Sequence, residues 1–193
     1  MSLTFKKHLV IPKKWFFFNP TIISNHKFFY KISNKDGVVF LLEDKKKGEF
    51  FRLIQPYIFW CRKNNIKFII PYSTYWAIKY QAFGIMVDSK CKKINSLKEG
   101  FIRKKFFIVS RVHDFKEAIN IKKFVDLVFL TPVFKTKSYV NKIPLTRYTY
   151  TSLCFFFKEK MIFALGGVNY KNFNFTKNKT VHGFGGINNF KER

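Results

Sequence analysis

The expected fold is set by two short apolar runs that each end in a pair of glycines, MIFALGG at positions 161–167 and VHGFGG at positions 181–186. Apolar runs of this length, stopped by glycine, are typical of buried β-strands. A strand that ends in Gly-Gly lets backbone N–H groups approach a ligand closely, because no Cβ is in the way. The two runs therefore indicate either a phosphate-binding site built on backbone N–H groups or a pair of plain turns.

Further apolar runs of strand length alternate with amphipathic stretches of helix length along the chain. The predicted strands are Lys27–Ile32, Val38–Leu42, Phe68–Ile70, Ile85–Val87, Phe106–Val112, Leu127–Leu130, Met161–Leu165 and Gly183–Ile187. Strands joined through helices by short links run parallel to one another. The pattern predicts an α/β fold, a single (β/α)8 barrel with a vestigial last helix, in which one domain covers 1–193 and residues 1–26 form an N-terminal extension.

The composition favours a packed globular protein, because 47% of the residues are hydrophobic and 20% are aromatic, with 27 phenylalanines. The net charge is +26, and the lysines are scattered through nearly every segment. The positive charge either reflects evolutionary drift of the surface residues without a function or serves to attract nucleic acids or phosphorylated substrates. We expect any nucleic-acid binding to be non-specific.

The cysteines Cys61, Cys91 and Cys154 are far apart and match neither a zinc site nor a redox pair. No apolar run approaches the ~20 residues that span a bilayer, and no signal peptide is recognisable. We expect a cytoplasmic protein with reduced thiols and no membrane partner. The sequence leaves a homo-oligomer open.

In a barrel of this kind the chemistry lies at the carboxyl ends of the strands. The residues predicted there are Glu43, Asp44, Tyr72, Asp88, Arg111, His113, Thr131, Thr136, Lys137, Gly166, Gly167, Gly185 and Gly186. His113 suits acid–base work, since imidazole titrates near neutral pH, or else it caps the next helix or bonds a backbone carbonyl. Arg111 needs a partner at this position, which is either a bound phosphate or the carboxylate of Glu43 or Asp88.

Four segments resemble the family of thiamine phosphate synthases and TenI proteins. They are VSRVHDFKEA at 109–118, DLVFLTPVFKTKS at 126–138, FALGGVN at 163–169 with Asn172 beyond it, and HGFGGI at 182–187. They look like the family's strand-five motif, its "PVFpTkS" segment, its "iAlGGIn" segment and, more loosely, its closing strand. Their order and spacing agree with the family, whose fold is a TIM barrel.

The family's synthases join a hydroxymethylpyrimidine diphosphate to a thiazole phosphate with Mg²⁺, whereas its TenI branch aromatises the thiazole phosphate. The resemblance implies that His113 is the acid–base residue and that a small phosphorylated substrate of the thiazole phosphate class is bound. The residues implied to bind it are Arg111, Thr131, Pro132, Thr136, Lys137, Gly166, Gly167, Gly185 and Gly186.

The chain departs from the family at the end that would hold the diphosphate and the metal. Leu42 and Asp44 stand where the synthases carry an Arg and a Lys, and Tyr72 and Cys91 stand at the metal-ligand positions. Mg²⁺ prefers carboxylate oxygens in octahedral geometry, so Mg²⁺ use is doubtful and no metal ligand is predicted. Asp44 and Asp88 form either a relocated metal site or a pair neutralised by nearby lysines.

These departures favour a TenI-type role over full Mg²⁺-dependent coupling. Two alternatives stay open from the sequence. The first is a degenerate family member that binds its ligand without catalysis, and the second is a basic nucleic-acid-binding protein.

Overall fold

The computed structural model describes residues 10–21, 26–42, 47–88, 101–136, 143–176 and 178–187. Glu43, Asp44, Cys91 and Lys137, which the sequence analysis singled out, lie outside these ranges. Within the described ranges, none of the helices combines the length and hydropathy needed to cross a bilayer.

Eight parallel strands form one closed barrel, in which each strand pairs with the next and the eighth pairs with the first. The strands are β1 Lys14–Phe18, β2 Gly37–Phe40, β3 Lys67–Pro71, β4 Gly84–Val87, β5 Phe107–Val112, β6 Leu127–Leu130, β7 Met161–Ala164 and β8 Val181–Gly186. The crossover helices are a 3-10 helix Lys27–Lys31, α1 Lys47–Lys63, α2 Thr74–Tyr80, α3 Phe101–Lys105, α4 Phe115–Ile121, α5 Arg147–Phe156 and α6 Phe173–Thr176. The predicted (β/α)8 barrel is confirmed, and no helix follows β8 among the described residues, in line with a vestigial last helix.

The predicted first strand, Lys27–Ile32, is wrong. Lys27–Lys31 is a 3-10 helix that buries the adjacent side chains of Phe28 and Phe29 together, whereas a strand would send neighbours to opposite faces. The first strand is instead β1, which lies inside the segment 1–26 that the sequence assigned to an extension. Trp15 to Phe18 are all buried, as expected for a barrel strand covered on both faces, so they show no alternation of polar and apolar residues.

Successive side chains of β1 face alternately the barrel interior and the layer of helices. Trp15 and Phe17 belong to the interior cluster, whereas Phe16 and Phe18 belong to the cluster between the strands and the helices. The Phe17 ring meets the ring of Phe129 edge to face, with centroids 4.9 Å apart. Both layers use phenylalanine, so a large share of the aromatic excess is core.

Two glycines open the interior for the rings of β1. A Cβ on Gly37 of β2 would lie 2.3 Å from Trp15 Cε3, and a Cβ on Gly185 of β8 would lie 2.5 Å from Phe17 Cε2. Both distances are far below a van der Waals contact, so the two large rings fit only because these neighbours lack a side chain. The Phe17 ring in turn reaches the carboxyl end of the barrel.

Two of the three cysteines lie among the described residues. Cys61 and Cys154 are buried and unpaired by disulfides. Burial raises the pKa of both thiols above the ordinary value. A thiol held in its neutral form is a weak nucleophile, so these two cysteines are structural.

Candidate active site

The carboxyl ends of β5 to β8 surround a small cavity of about 120 Å³, called here the glycine pocket. Its lining residues are Phe17, Leu41, Arg111, His113, Thr131, Thr136, Leu165, Gly166, Gly167, Val168, Asn169, Gly186 and Ile187. Seven of the residues predicted from sequence thus meet at one site, from four different strand ends. This is the face on which barrels of this type carry their chemistry.

The turn after β7 requires glycine at both of its central positions. Gly166 and Gly167 have φ values of +84° and +67°, the left-handed region that other residues rarely enter. A Cβ on Gly166 would lie 2.8 Å from Pro132 Cα, and a Cβ on Gly167 would lie 2.5 Å from the Lys135 carbonyl oxygen. Backbone packs against backbone here, so the turn cannot move aside to admit a side chain.

Asn172 holds this turn in place. Its Nδ2 donates to the Gly167 carbonyl oxygen at 2.9 Å, and its Oδ1 accepts from the Asn169 N–H at 2.7 Å. Within the part of the chain that the structure describes, neither Gly166 nor Gly167 donates its own N–H group to another residue. Two adjacent donors in a fixed turn that lines a cavity are suited to an anion such as phosphate.

His113 follows β5 directly and lies just before α4. The Asp114 side chain caps α4, since its Oδ1 accepts the Glu117 N–H at 2.7 Å. The imidazole Nδ1 of His113 lies 2.9 Å from Glu117 Oε2, and the His113 backbone N–H donates to the same oxygen at 2.8 Å. The helix cap is therefore supplied by Asp114, and the His113 ring is paired with a carboxylate.

A second cavity, of about 250 Å³, adjoins the first and is called here the tyrosine pocket. Its lining residues are Phe40, Leu41, Leu42, Pro71, Tyr72, Met86, Val87, Asp88, Arg111, His113 and Glu117. Arg111 and His113 line both cavities, so they stand between the two. The described charged groups on the tyrosine side are two carboxylates, Asp88 and Glu117, beside the Arg111 guanidinium and the titratable His113.

The described side chains at this second cavity fit Mg²⁺ poorly. β3 ends in Pro71 and is followed by Tyr72, neither of which offers a carboxylate. Glu117 Oε2 already accepts the His113 backbone N–H and lies 2.9 Å from the His113 Nδ1, and the other described carboxylate is Asp88 after β4. Among the described residues, no three His, Cys, Asp or Glu side chains are grouped so as to hold a metal ion.

Two of the residues that the resemblance implied to bind the substrate, Pro132 and Gly185, do not line the glycine pocket. Pro132 packs beneath the Gly166 turn, and Gly185 faces the Phe17 ring and Leu165 inside the barrel. Lys137 lies outside the described residues.

Two residues that line the site were not predicted from the sequence. Phe17 lines the glycine pocket, and it was missed because β1 had been assigned to the extension. Glu117 was not named as a site residue. An Asp followed three residues later by a Glu is a helix-start signature that turns the Glu side chain back toward the start of the helix, and in the structure Glu117 accepts the His113 N–H there.

Comparisons with known proteins agree on the fold. The family described as thiamine monophosphate synthase matches residues 32–190 of the chain. The structure of thiamine phosphate pyrophosphorylase from Pyrococcus furiosus superposes with a TM-score of 0.69 at 18% identity, covering 91% of this chain and 85% of that one. A variant of the citrate synthase SbnG superposes with a TM-score of 0.59 at 15% identity, covering 91% and 86% of the two chains. No curated protein matches the sequence.

Proposed function

The chain belongs to the thiamine monophosphate synthase family, and from this premise we propose that it binds a thiazole phosphate in the glycine pocket and moves a proton on the thiazole ring, as the TenI branch does. The observation that carries this proposal is the convergence of the Gly166–Gly167 turn, Gly186, Arg111 and His113 on one cavity. An anion-binding turn and an acid–base side chain are the two parts that this reaction requires.

The phosphate would lie at the Gly166–Gly167 turn. Its oxygens would accept the two N–H groups that no described residue uses, and the Arg111 guanidinium on the same cavity supplies positive charge. The hydroxyl groups of Thr131 and Thr136 line the same wall and offer further hydrogen-bond donors.

The thiazole ring would lie between this turn and His113. Aromatisation by isomerisation removes one proton from a saturated ring carbon and adds one at a carbon outside the ring, which changes no oxidation state. One imidazole accepts that proton and then returns it, so atoms and charge balance without a co-reactant. This chemistry calls for no metal, in agreement with the donor set at the tyrosine pocket.

Full coupling to a pyrimidine diphosphate is less well supported. A diphosphate in the tyrosine pocket would lie near the carboxylates of Asp88 and Glu117, and like charges repel in a partly buried site. Leu42 also lines this cavity at the position where the synthases carry an Arg. The same features favour a second candidate, a protein that binds thiazole phosphate without turning it over.

Thermal-shift titration separates these functions. We expect thiazole phosphate alone to raise the melting temperature by several degrees near saturation, because ~100 Kd of ligand adds about 2.7 kcal/mol to stability. Gly186→Asp places a carboxylate in the cavity and should abolish the shift. Gly48→Asp, the same change at an exposed position of α1, should preserve it.

Two other outcomes would overturn the proposal. Stabilisation by the pyrimidine diphosphate that requires Mg²⁺ would identify a working synthase. A melting temperature unchanged by thiazole phosphate and by thiamine phosphate would leave the proposed ligand class without support.

Turnover separates the enzyme from the binding protein. We expect His113→Ala to retain the thermal shift while the isomerisation rate falls by about 10²–10⁴-fold, the usual contribution of a general acid–base residue. Wild-type protein that binds the ligand but does not isomerise it would establish the binding role instead.

A further inference from the structure

We propose that Glu117 is a positioning residue that holds His113 as its Nδ1–H tautomer and leaves Nε2 as the nitrogen that exchanges protons with the substrate. The role in the reaction rests on the proposed function, whereas the tautomer itself does not. Neither the sequence resemblance nor the comparisons assign a role to Glu117.

The tautomer follows from the identity of the two facing atoms. Nδ1 of His113 lies 2.9 Å from Oε2 of Glu117, a hydrogen-bond distance. An ionised carboxylate only accepts hydrogen bonds, so the proton of a neutral ring must sit on Nδ1. Nε2 then keeps its lone pair and is able to take a proton from a substrate.

The ring is fixed in direction as well as in protonation. The Glu117 oxygen that faces Nδ1 also accepts the His113 backbone N–H at 2.8 Å. The same carboxylate oxygen therefore contacts both the backbone and the ring of His113, which restricts the orientation of the ring. Glu117 itself is held in the first turn of α4, where its N–H donates to Asp114. The two side chains are only 26% and 23% exposed, so solvent competes weakly for the bond.

The fixed ring stands at the junction of the two cavities, because His113 lines both. A base that serves a bound thiazole must present the same nitrogen in every turnover. A carboxylate behind an imidazole performs that task in other acid–base sites, where loss of the correct tautomer costs up to about 10⁴-fold in rate.

A second histidine, His182, is expected to have the opposite tautomer and serves as an internal reference. Nδ1 of His182 accepts the backbone N–H of Ile162 at 3.2 Å. An accepting Nδ1 carries no proton, so a neutral His182 must be the Nε2–H tautomer. The two neutral tautomers are therefore both expected in this protein, one at each histidine.

The test is a long-range ¹H–¹⁵N correlation spectrum of the ring nitrogens, recorded without substrate at a pH high enough that the signals no longer move. We expect the Nδ1–H pattern for His113 and the Nε2–H pattern for His182. In Glu117→Gln the amide can donate to Nδ1 as well as accept, so His113 should shift toward the Nε2–H pattern while His182 stays unchanged. Gln also suits this position of a helix start, so the fold should be retained.

The matched control is Glu49→Gln, the same change at an exposed residue of α1. It should leave both histidine patterns as in the wild type. An Nε2–H pattern for His113 in the wild type would overturn the inference, as would an Nδ1–H pattern that survives in Glu117→Gln. These results are obtained without any turnover, so they stand apart from the success or failure of the proposed function.

Kinetics then test the role in the reaction. We expect Glu117→Gln to lower kcat by about 10²-fold or more with little change in KM, since substrate contacts are kept and the base is misplaced. If Glu117→Gln changes the tautomer of His113 but leaves kcat unchanged, Glu117 sets the tautomer without contributing to the reaction.

Discussion

At the scale of single residues, the candidate site depends on two pairs of residues at which we expect few substitutions to be tolerated. Gly166 and Gly167 adopt backbone conformations that exclude most side chains, and both residues line the cavity. His113 and Glu117 depend on a bond that is 2.9 Å long. In the proposed function, the first pair binds the anion and the second exchanges the proton.

Gly167→Ala tests the turn. The new methyl group would meet the Lys135 carbonyl oxygen and would occupy a left-handed backbone conformation, so we expect a loss of about 1–3 kcal/mol in the free energy of unfolding. Urea denaturation gives the value. Gly48→Ala, at an exposed helical position with nothing within 4 Å of the new methyl, should be unchanged or slightly more stable. A Gly167→Ala protein as stable as the wild type would contradict the described turn.

At the scale of elements, the barrel closes through β1, which pairs with both β2 and β8. Its interior rings fit because Gly37 and Gly185 on the two neighbouring strands give them room. Phe17 extends this packing to the floor of the glycine pocket. The strand that the sequence did not identify thus links the core to the site.

Gly37→Ala with Trp15→Leu tests this arrangement. Each single change should destabilise the protein, Gly37→Ala by about 1–3 kcal/mol through overpacking against the indole. The double variant should lose less than the sum of the two, with a coupling of roughly 0.5–3 kcal/mol, because leucine vacates the space that the methyl needs. Denaturation of all four proteins completes the cycle. Strict additivity would show that the two residues are not in contact.

The elements also show what a single sequence can predict. β5 to β8 were placed well, because each is an apolar run bounded by a glycine, a proline or a helix-capping residue such as Asp114. An apolar run indicates burial but does not separate a strand from a short helical segment. The Phe-rich Lys27–Lys31 segment was therefore assigned as the first strand, and β1 was left inside the predicted extension.

Some features of the candidate site could likewise be predicted from the sequence, and others could not. Strand-end positions such as His113 and Gly166 follow from the order of the strands, so the sequence could predict them. Gly185 faces the Phe17 ring, and the His113–Glu117 bond depends on side-chain directions. Both facts require three-dimensional packing, which a linear pattern does not contain.

At the scale of the whole molecule, the chain carries a net charge of +26. Such a charge attracts any polyanion, and the attraction weakens as salt is added, because the free energy gained by releasing counterions falls. The proposed binding at the glycine pocket depends instead on fixed donors in a small cavity, so we expect it to be less sensitive to salt.

We therefore expect RNA binding that weakens steeply, by roughly 10³-fold or more, between about 50 and 200 mM salt and that is indifferent to RNA sequence. Gly186→Asp should leave it nearly unchanged, because one added carboxylate is small against the total charge. Fluorescence anisotropy with labelled RNAs measures both properties. Tight, sequence-dependent binding at about 200 mM salt would favour the nucleic-acid-binding alternative.

Backbone ¹H–¹⁵N chemical-shift mapping is the direct test of whether a thiazole phosphate binds at the turn after β7, as we propose. During titration with thiazole phosphate in the absence of metal, we expect the largest changes at the amides of Gly166, Gly167 and Gly186, with smaller ones at His113. Inorganic phosphate should move the glycine amides and not His113. Changes spread over surface lysines, or confined to the tyrosine pocket around Tyr72 and Asp88, would show that the ligand does not bind at this turn.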